Sequence, residues 1–169
     1  MQTQTGKLTL SSAVFADGAT IPQSAVFNAF GCTGQNRSPD LSWSAGPAGT
    51  KSYAVTMWDP DAPTGVGWVH WVLFNIPGDV TSLAEDAGKH KHASIGAMHG
   101  TNDFGLHAYD GPCPPAGDPP HHYHLIVYAL DVPSLQGLDE STSYAKFKFM
   151  AREHVLATGE FVGLYGISG

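Results

Sequence analysis

Glycine and proline interrupt this chain so often that long helices have little room in it. The 169 residues include 20 Gly and 12 Pro, while Asp, Glu, Lys and Arg together make up only 14%. Gly and Pro favour tight turns, and apolar segments between such turns are typical of short β-strands. With 42% apolar residues, the chain can bury a core of the usual domain size. The sequence therefore predicts one mainly β domain over residues 1–169.

Short apolar segments mark the predicted strands. They are 7–10, 24–27, 52–58, 68–76, 123–130 and 160–165, of which 68–76 and 123–130 have the longest apolar runs. Residues 143–157 are predicted to form a helix, because apolar side chains recur there at helical spacing between Ser143 and Gly159. These elements predict an antiparallel β-sandwich with one or two peripheral helices.

The charge of the chain limits the partners it can bind. Its formal net charge is -7 and its pI is about 5.6, and no stripe of Lys and Arg reverses that charge locally. Nucleic acid is therefore not an expected partner. A small anion is still compatible with this charge if main-chain N–H groups and imidazoles converge on it at short range.

The beginning of the chain and its cysteines predict the cellular compartment. Residues 1–10 lack the basic start and the apolar stretch of a secretory signal, and no apolar run reaches the roughly 18 residues that span a bilayer. We therefore expect a cytoplasmic protein without membrane insertion. In that compartment Cys32 and Cys113 are expected to stay reduced.

An acidic turn bounded by prolines, Asp59 to Pro63 (DPDAP), follows the predicted strand 52–58 directly. Its prolines restrict the backbone, so the carboxylates of Asp59 and Asp61 are held in set directions. A plain β-turn is the more common explanation for such a fragment on its own. Because proline tolerates the cis isomer in tight turns, we also expect a cis X-Pro bond here.

His70 lies within a very apolar predicted strand, where an unpaired buried imidazole would cost about 1–3 kcal/mol. A hydrogen-bonded core histidine is the usual explanation, but Asp59 and Asp61 lie close enough along the chain to fix its tautomer instead. Strict strand alternation places Trp68 and His70 on one face, and Val69 and Trp71 on the other.

A Gly- and Pro-rich loop, 111–117 (GPCPPAG), is followed by His121, His122 and Tyr123 at the start of another apolar strand. Gly lets the backbone approach a ligand closely, and a loop with this many prolines loses little entropy on binding. The alternative is a rigid crossover with an incidental pair of histidines. The loop is therefore a second candidate wall of a preformed pocket.

Taken together, these motifs resemble the phosphatidylethanolamine-binding protein family, in particular its bacterial and archaeal Raf kinase inhibitor-like branch. The motifs that carry the resemblance are 59–63 (DPDAP), 68–77 (WVHWVLFNIP), 102–105 (NDFG) and 111–123 (GPCPPAGDPPHHY). Segments 30–43 and 154–160 are also similar to that branch. The resemblance covers nearly the whole chain and is specific because the motifs occur in order.

The resemblance implies a β-sandwich with one ligand pocket. The implied ligand-binding residues are Asp59, Asp61, His70, Gly111, Pro112, His121 and Tyr123. It also implies phosphate, acetate or a phospholipid headgroup as ligand, a homodimer, and a link to the regulation of kinases or proteases. The chain departs from the familiar pattern at His122, where the family usually has Arg. That change removes a permanent positive charge near the pocket mouth.

From these residues follows a hypothesis for the pocket. His70 and His121, with main-chain N–H groups near Gly111, donate hydrogen bonds to a phosphate, while Asp59 and Asp61 orient the imidazoles. A free carboxylate edge can accept an ammonium group, which suits a zwitterionic ligand such as phosphoethanolamine. Because carboxylates raise the pKa of neighbouring imidazoles, anion affinity is expected to increase as the pH falls from about 8 to about 6.

Three alternatives stay open beside this binding function. A hydrolase could use Asp, His, Tyr and Cys113 of one pocket, although the chain has no nucleophile elbow. A metal site could use the nine histidines with the aspartates, although their spacing matches no compact ligand motif. A protein partner could bind around the pocket. We expect neither catalysis, nor a resident metal, nor a cofactor.

Overall fold

Two β-sheets and one α-helix organise the described part of the chain, residues 6–89 and 96–169 of a computed structural model. The strands are β1 Gly6–Lys7, β2 Leu10–Ser11, β3 Leu41–Trp43, β4 Ser52–Asp59, β5 Trp68–Pro77, β6 Ser82–Leu83, β7 Met98–His99, β8 His121–Leu130 and β9 Val155–Tyr165. The helix α1 spans Tyr144–Ala151, and Gln23–Ala25 and Ala87–Lys89 form 3-10 turns. The fold is mainly β, as the turn-rich composition predicts.

The larger sheet has six strands in the order β1-β9-β8-β4-β5-β7, and the smaller has three in the order β2-β3-β6. Neighbouring strands are antiparallel, except that β1 runs parallel to β9. The predicted antiparallel architecture is therefore confirmed for the three long central pairings. The parallel pairing of β1 could not be predicted, because a strand of two residues is too short to show a pattern in the sequence.

Alternation along the strands divides the buried side chains between two cores. Val55 and Met57 of β4 point to the "sandwich core" between the two sheets, together with Trp43 and Leu83 of the smaller sheet. Ala54 points to the opposite face. There the "helix-side core" contains Ala54, Val69, Val72, Phe74, Tyr128, Leu130, Leu135, Phe147 and Ala151. The large sheet is thus covered on both faces, which explains its apolar strands.

The helix is shorter than its apolar pattern predicts. It begins after Ser143, whose hydroxyl accepts a hydrogen bond from the N–H of Lys146 at 3.1 Å, and ends at Ala151. The predicted continuation to residue 157 is wrong, because Val155 already belongs to β9 and pairs with Leu130. Strand pairing along β8 outweighs the local helical preference. No helix in the described ranges is long and apolar enough to cross a membrane.

Two smaller local predictions are also wrong. Residues 24–27 do not form a strand, because their first two residues belong to the 3-10 turn Gln23–Ala25. The turn 59–63 contains no cis peptide bond. It is tightened instead by the side chain of Asp59, whose Oδ1 accepts a hydrogen bond from the N–H of Asp61 at 2.8 Å. This side-chain turn reverses the chain without a cis proline.

Candidate functional site

The candidate site lies at one end of the strands of the large sheet, where β4 ends and its neighbours β5 and β8 begin. Because β5 and β8 run antiparallel to β4, Asp59 lies opposite Trp68, and His121 begins the strand on the other side. A cavity of about 250 Å³ opens at these strand ends. It is lined by Phe30, Asp59, Ala62, Pro63, Thr64, Trp68, His70, Phe104, Cys113, Pro114, Pro115, His121 and Tyr123.

His70 lies on a β-bulge of β5. Trp58 pairs with Val69 and Met57 with Trp71, which leaves His70 without an opposite residue on β4. A bulge re-aims side chains, and here Trp71 joins the sandwich core while Val69 joins the helix-side core. The prediction that Val69 and Trp71 share a face is therefore wrong. The bulge aims His70 into the cavity.

The imidazole of His70 is buried and held by the main chain. Its Nδ1–H donates to the carbonyl oxygen of Asp110 at 2.7 Å, and its Nε2 has no partner among the described residues. Burial lowers the pKa of His70 below its ordinary value, and the bond to Asp110 and the carboxylates of Asp59 and Asp103 only partly oppose that effect. The free pocket therefore holds a neutral imidazole with the Nε2 lone pair unused.

A buried polar network fixes the segment that holds His70. The carboxylate of Asp110 accepts from Asn36 at 3.0 Å and from Asn102 at 2.7 Å. Asn102 in turn accepts the N–H groups of Phe104 and Leu106, at 2.9 and 3.1 Å. Each buried polar group thereby has a partner, so the network can hold the carbonyl of Asp110 in place.

His121 is held between two carboxylates. Its Nδ1 lies 2.7 Å from Oδ2 of Asp59, and its Nε2 lies 2.9 Å from Oδ2 of Asp118. Burial by itself lowers the pKa of His121, but the hydrogen bonds to Asp59 and Asp118 outweigh burial and raise the pKa. Carboxylates can only accept, so both nitrogens must donate, and His121 is an imidazolium in this arrangement.

Tyr123 supplies a neutral hydroxyl beside the two histidines. The residue is 1% exposed, its ring packs edge-on against His70 at 5.2 Å, and its hydroxyl has no hydrogen-bond partner among the described residues. Burial and the charge of Asp59 raise the pKa of Tyr123, so the phenol keeps its proton. Its O–H is therefore available to a ligand as a donor.

Aromatic side chains form the outer wall of the cavity. Phe104 packs edge-on against Trp68 at 5.4 Å and stacks with Phe30 at 6.1 Å. Phe30 is 80% exposed. The cavity is thus polar at His70 and Tyr123 and apolar towards its mouth, an arrangement that suits a small ligand with a polar end.

The two cysteines form a disulfide at the edge of the cavity, with a Cα–Cα distance of 6.0 Å. The prediction of reduced thiols is therefore wrong. That prediction was based on the expected compartment, whereas the pairing depends on two loops, 81 residues apart in sequence, that only the fold brings together. The bond ties Cys113, in the cavity wall, to the loop that carries Phe30.

Comparison with known proteins identifies the family. The family model described as phosphatidylethanolamine-binding protein matches residues 11–166. The chain belongs to the phosphatidylethanolamine-binding protein family. The family resemblance inferred from the motifs is confirmed.

Two bacterial members of the family are similar over most of this chain. UPF0098 protein YbcL of Escherichia coli K12 is 47% identical over 152 residues, which cover 89% of this chain and 82% of that protein. UPF0098 protein YbhB of the same strain is 42% identical over 150 residues, covering 88% and 94%. The crystal structure of E. coli YbcL superposes with a TM-score of 0.91 at 43% identity, covering 96% of this chain and all of that one. These family members confirm the β-sandwich fold.

Of the seven residues that the family resemblance implies, four line the cavity: Asp59, His70, His121 and Tyr123. Asp61 does not. Its carboxylate lies outside, 2.8 Å from Nδ1 of the exposed His122, and this hydrogen bond lowers the pKa of Asp61. Asp59 therefore orients His121, and Asp61 orients His122. The expectation that the aspartate side chains orient His70 is wrong, because its Nδ1–H donates to a main-chain carbonyl oxygen instead.

Gly111 and Pro112 lie behind the cavity wall rather than in it. The N–H of Gly111 donates to Oδ1 of Asn36 at 2.7 Å, and the carbonyl of Pro112 accepts from Phe27 at 3.0 Å. A Cβ on Gly111 would overlap the carbonyl oxygen of Ala25. Gly111 thus permits close packing of two loops, and its N–H is not free for a ligand in this arrangement.

Several residues of the site were not singled out by sequence reasoning. Asp118, Phe30 and Phe104 belong to this group, as do the supporting Asn36 and Asn102. Phe104 and Asn102 lie in the NDFG motif, which was a usable signal. Asp118 lies in the motif 111–123, but its contact with His121 depends on where the loop after Gly117 places it.

Proposed function

We propose that this protein binds a small anion, a phosphate or a phosphate-bearing headgroup, in the cavity at His70 and Tyr123. The proposal is carried by Nε2 of His70 and the hydroxyl of Tyr123, two polar groups of cavity-lining residues that have no hydrogen-bond partner among the described residues. A cavity of about 250 Å³ has room for a headgroup rather than for a whole lipid.

Binding of an anion is coupled to a proton in this arrangement. The only N–H of neutral His70 is bound to Asp110, so Nε2 can donate to an anion only after it gains a proton. A bound anion next to Nε2 raises the pKa of His70, which burial holds low in the free protein. For a dianion whose own charge does not change with pH, the affinity therefore increases as the pH falls from the pKa of His70 in the complex towards the pKa of His70 in the free protein.

Sulfate separates titration of the protein from titration of the ligand, because its charge is constant over the useful pH range. We expect calorimetry to show tighter sulfate binding at pH 5.5 than at pH 7.5, with uptake of up to about one proton per ion. Titrations in two buffers of different ionisation enthalpy measure that uptake. Equal sulfate affinity at both pH values, with no proton uptake, would contradict this assignment.

A conservative variant tests the hydroxyl of Tyr123. Tyr123→Phe is expected to weaken phosphate binding about tenfold, the effect of losing one hydrogen bond to a charged group. Tyr128→Phe is the matched control, because Tyr128 is another buried tyrosine whose hydroxyl contacts Thr56 on the far side of the sheet. If both variants bind phosphate like the wild type, Tyr123 is not part of the site.

We also propose that the chain acts as one domain that binds without catalysis. The two cores share the large sheet, which argues for one domain. The sulfur of Cys113 is held in the disulfide, so it is not a free nucleophile for the hydrolase alternative. Among the described residues, no group of three or more His, Cys, Asp or Glu side chains is arranged to hold a metal ion.

The homodimer and the protein partner stay predictions. Light scattering measures the molar mass in solution and so tests the dimer, and pull-down experiments test for a partner.

The disulfide argues against the predicted cytoplasmic location. Disulfides persist mainly in oxidising compartments, so we propose that the protein works in one. Acid quenching of the cells that make the protein, followed by alkylation and mass spectrometry, is expected to show no alkylated cysteine. Alkylation of both thiols in promptly quenched cells would contradict this proposal and would indicate a reducing compartment.

A further inference from the structure

Helix α1 collects basic side chains in a chain that is acidic as a whole. Of the eight Lys and Arg residues, three lie between positions 146 and 152, namely Lys146, Lys148 and Arg152. Glu153 is the only acidic residue from position 141 to position 154, although the formal net charge of the whole chain is -7. Arg152 lies 3.7 Å from Glu153, whereas the two lysines form no ion pair among the described residues. The helix therefore carries more positive than negative charge.

The apolar side chains of α1 point to two opposite sides of the helix. Phe147 and Ala151 are buried in the helix-side core against the large sheet. Because successive residues of an α-helix are rotated by about 100°, Phe149 lies about 200° from Phe147 and points away from the sheet. Phe149 is 60% exposed and Met150 is 36% exposed. The outer face of α1 thus leaves apolar area in water that the core of the protein does not use.

Positive charges flank the exposed ring of Phe149 on both sides. By the same helical rotation, Arg152 lies about 60° to one side of Phe149 and Lys146 about 60° to the other. The guanidinium of Arg152 stacks on the ring of Phe149, 3.8 Å from the ring centroid. Lys148 points differently, because its Nζ lies 5.2 Å from the ring centroid of Tyr128 in the sheet. The outer face therefore has an apolar tip between two cations, a pattern that suits the interface of an anionic lipid surface.

We propose that this protein adsorbs to anionic lipid surfaces through the outer face of α1, the "α1 surface" formed by Lys146, Phe149, Met150 and Arg152. None of these residues lines the cavity at His70, and the inference does not rest on the function proposed for that cavity. A lipid surface is the occupant that fits a ring projecting from a convex helix, because a fluid surface admits it without a preformed pocket. A second copy of the chain fits less well, since a two-fold contact would bring the cations of two α1 surfaces together.

The net negative charge of the chain does not prevent this contact at short range. Interactions between exposed charges are largely screened beyond about 8 Å in physiological salt, so lipid headgroups at the α1 surface interact mainly with nearby side chains. Of the nearby acids, Glu153 pairs with Arg152, and Asp139 interacts with Lys146 without forming an ion pair. Each basic side chain next to an anionic membrane adds only a modest attraction, so we expect adsorption to be reversible and sensitive to salt.

Sedimentation with lipid vesicles tests the proposal. One set of vesicles contains phosphatidylcholine alone, and the other contains equal parts of phosphatidylcholine and phosphatidylglycerol, which is anionic. Neither lipid carries a primary ammonium group. The wild type is expected to partition about tenfold more strongly to the anionic vesicles at low salt. High salt is expected to remove most of this difference, because the charges are then screened.

Two variants of the α1 surface are compared with two matched controls. Phe149→Ser is expected to weaken partitioning to the anionic vesicles about tenfold, because the ring is no longer there to leave water. Lys146→Gln is expected to weaken it about fivefold. The controls are Val66→Ser, which removes another apolar side chain that is 80% exposed, and Lys51→Gln, which removes an exposed lysine outside α1. Both controls are expected to partition like the wild type, and circular dichroism checks that all four variants fold.

Four outcomes would overturn the inference. Equal partitioning of the wild type to both kinds of vesicle would show that anionic lipid is not recognised. An equal loss in Lys51→Gln would assign the effect to net charge, and an equal loss in Val66→Ser would place the contact at the turn that contains residue 66. A loss in Tyr123→Phe would indicate that the cavity captures a lipid headgroup, because that variant leaves the α1 surface unchanged.

Other occupants of the α1 surface are distinguished by two further measurements. Self-association that Phe149→Ser abolishes in sedimentation velocity, without vesicle binding by the wild type, would make this face an interface between copies. Binding of a polyglutamate peptide without vesicle binding would make it a surface for an acidic protein segment. Either result would overturn the inference. Anion binding in the cavity is measured separately by calorimetry, so failure of this inference leaves the proposed function intact.

Discussion

Replacement of Cys32 and Cys113 by serine is expected to lower the free energy of unfolding by about 4–5 kcal/mol. The disulfide closes a loop between residues 81 positions apart, and the loss of that restraint enlarges the conformational entropy of the unfolded chain. Urea denaturation of the double variant and of the oxidised wild type measures the difference. An effect of this size is a large part of the stability of an ordinary domain.

Chemical reduction provides the control for this prediction. A reducing agent is expected to destabilise the wild type by a similar amount and to leave the double variant unchanged. Because the bond joins the cavity wall at Cys113 to the loop of Phe30, phosphate affinity is expected to fall in the same samples. Stability and affinity that stay within experimental error after verified reduction would show that the two loops hold each other without the bond.

Gly111→Ala is expected to destabilise the protein by about 3 kcal/mol, at the upper end of the usual cost of overpacking. The added methyl group would overlap the carbonyl oxygen of Ala25, a main-chain atom that cannot move without disturbing its turn. The shift would also strain the hydrogen bond from Gly111 to Asn36, which supports the network under His70. Thermal and urea unfolding measure the cost.

Gly117→Ala is the matched control in the same loop. Gly117 has a φ of +92°, so alanine there suffers backbone strain, but its Cβ would meet nothing closer than 3.7 Å. We expect a cost of about 1 kcal/mol. If the two variants are equally destabilised, close packing at Gly111 is not the reason why glycine is needed there.

The long strands and part of the site could be predicted from sequence because their signals are local. Apolar runs between turns located β4, β5 and β8 to within a few residues. The motifs in these strands and turns also pointed to Asp59, His70, His121 and Tyr123, which line the cavity. The same local logic failed for the end of α1, where pairing with β8 takes Val155 into a strand.

Only the tertiary structure decided which groups meet and which atoms stay free. The bulge at His70 follows from register between two strands, and the partner of its Nδ1 is the carbonyl of Asp110, 40 residues away. Likewise, the disulfide depends on how two distant loops pack, and the contact of Asp118 with His121 depends on the path of one loop. Residue type and spacing set the inventory of acids, imidazoles and turns in this protein. Which of them pair depends on packing between distant segments, and pairing determines the charge and the free hydrogen-bonding atoms of the pocket.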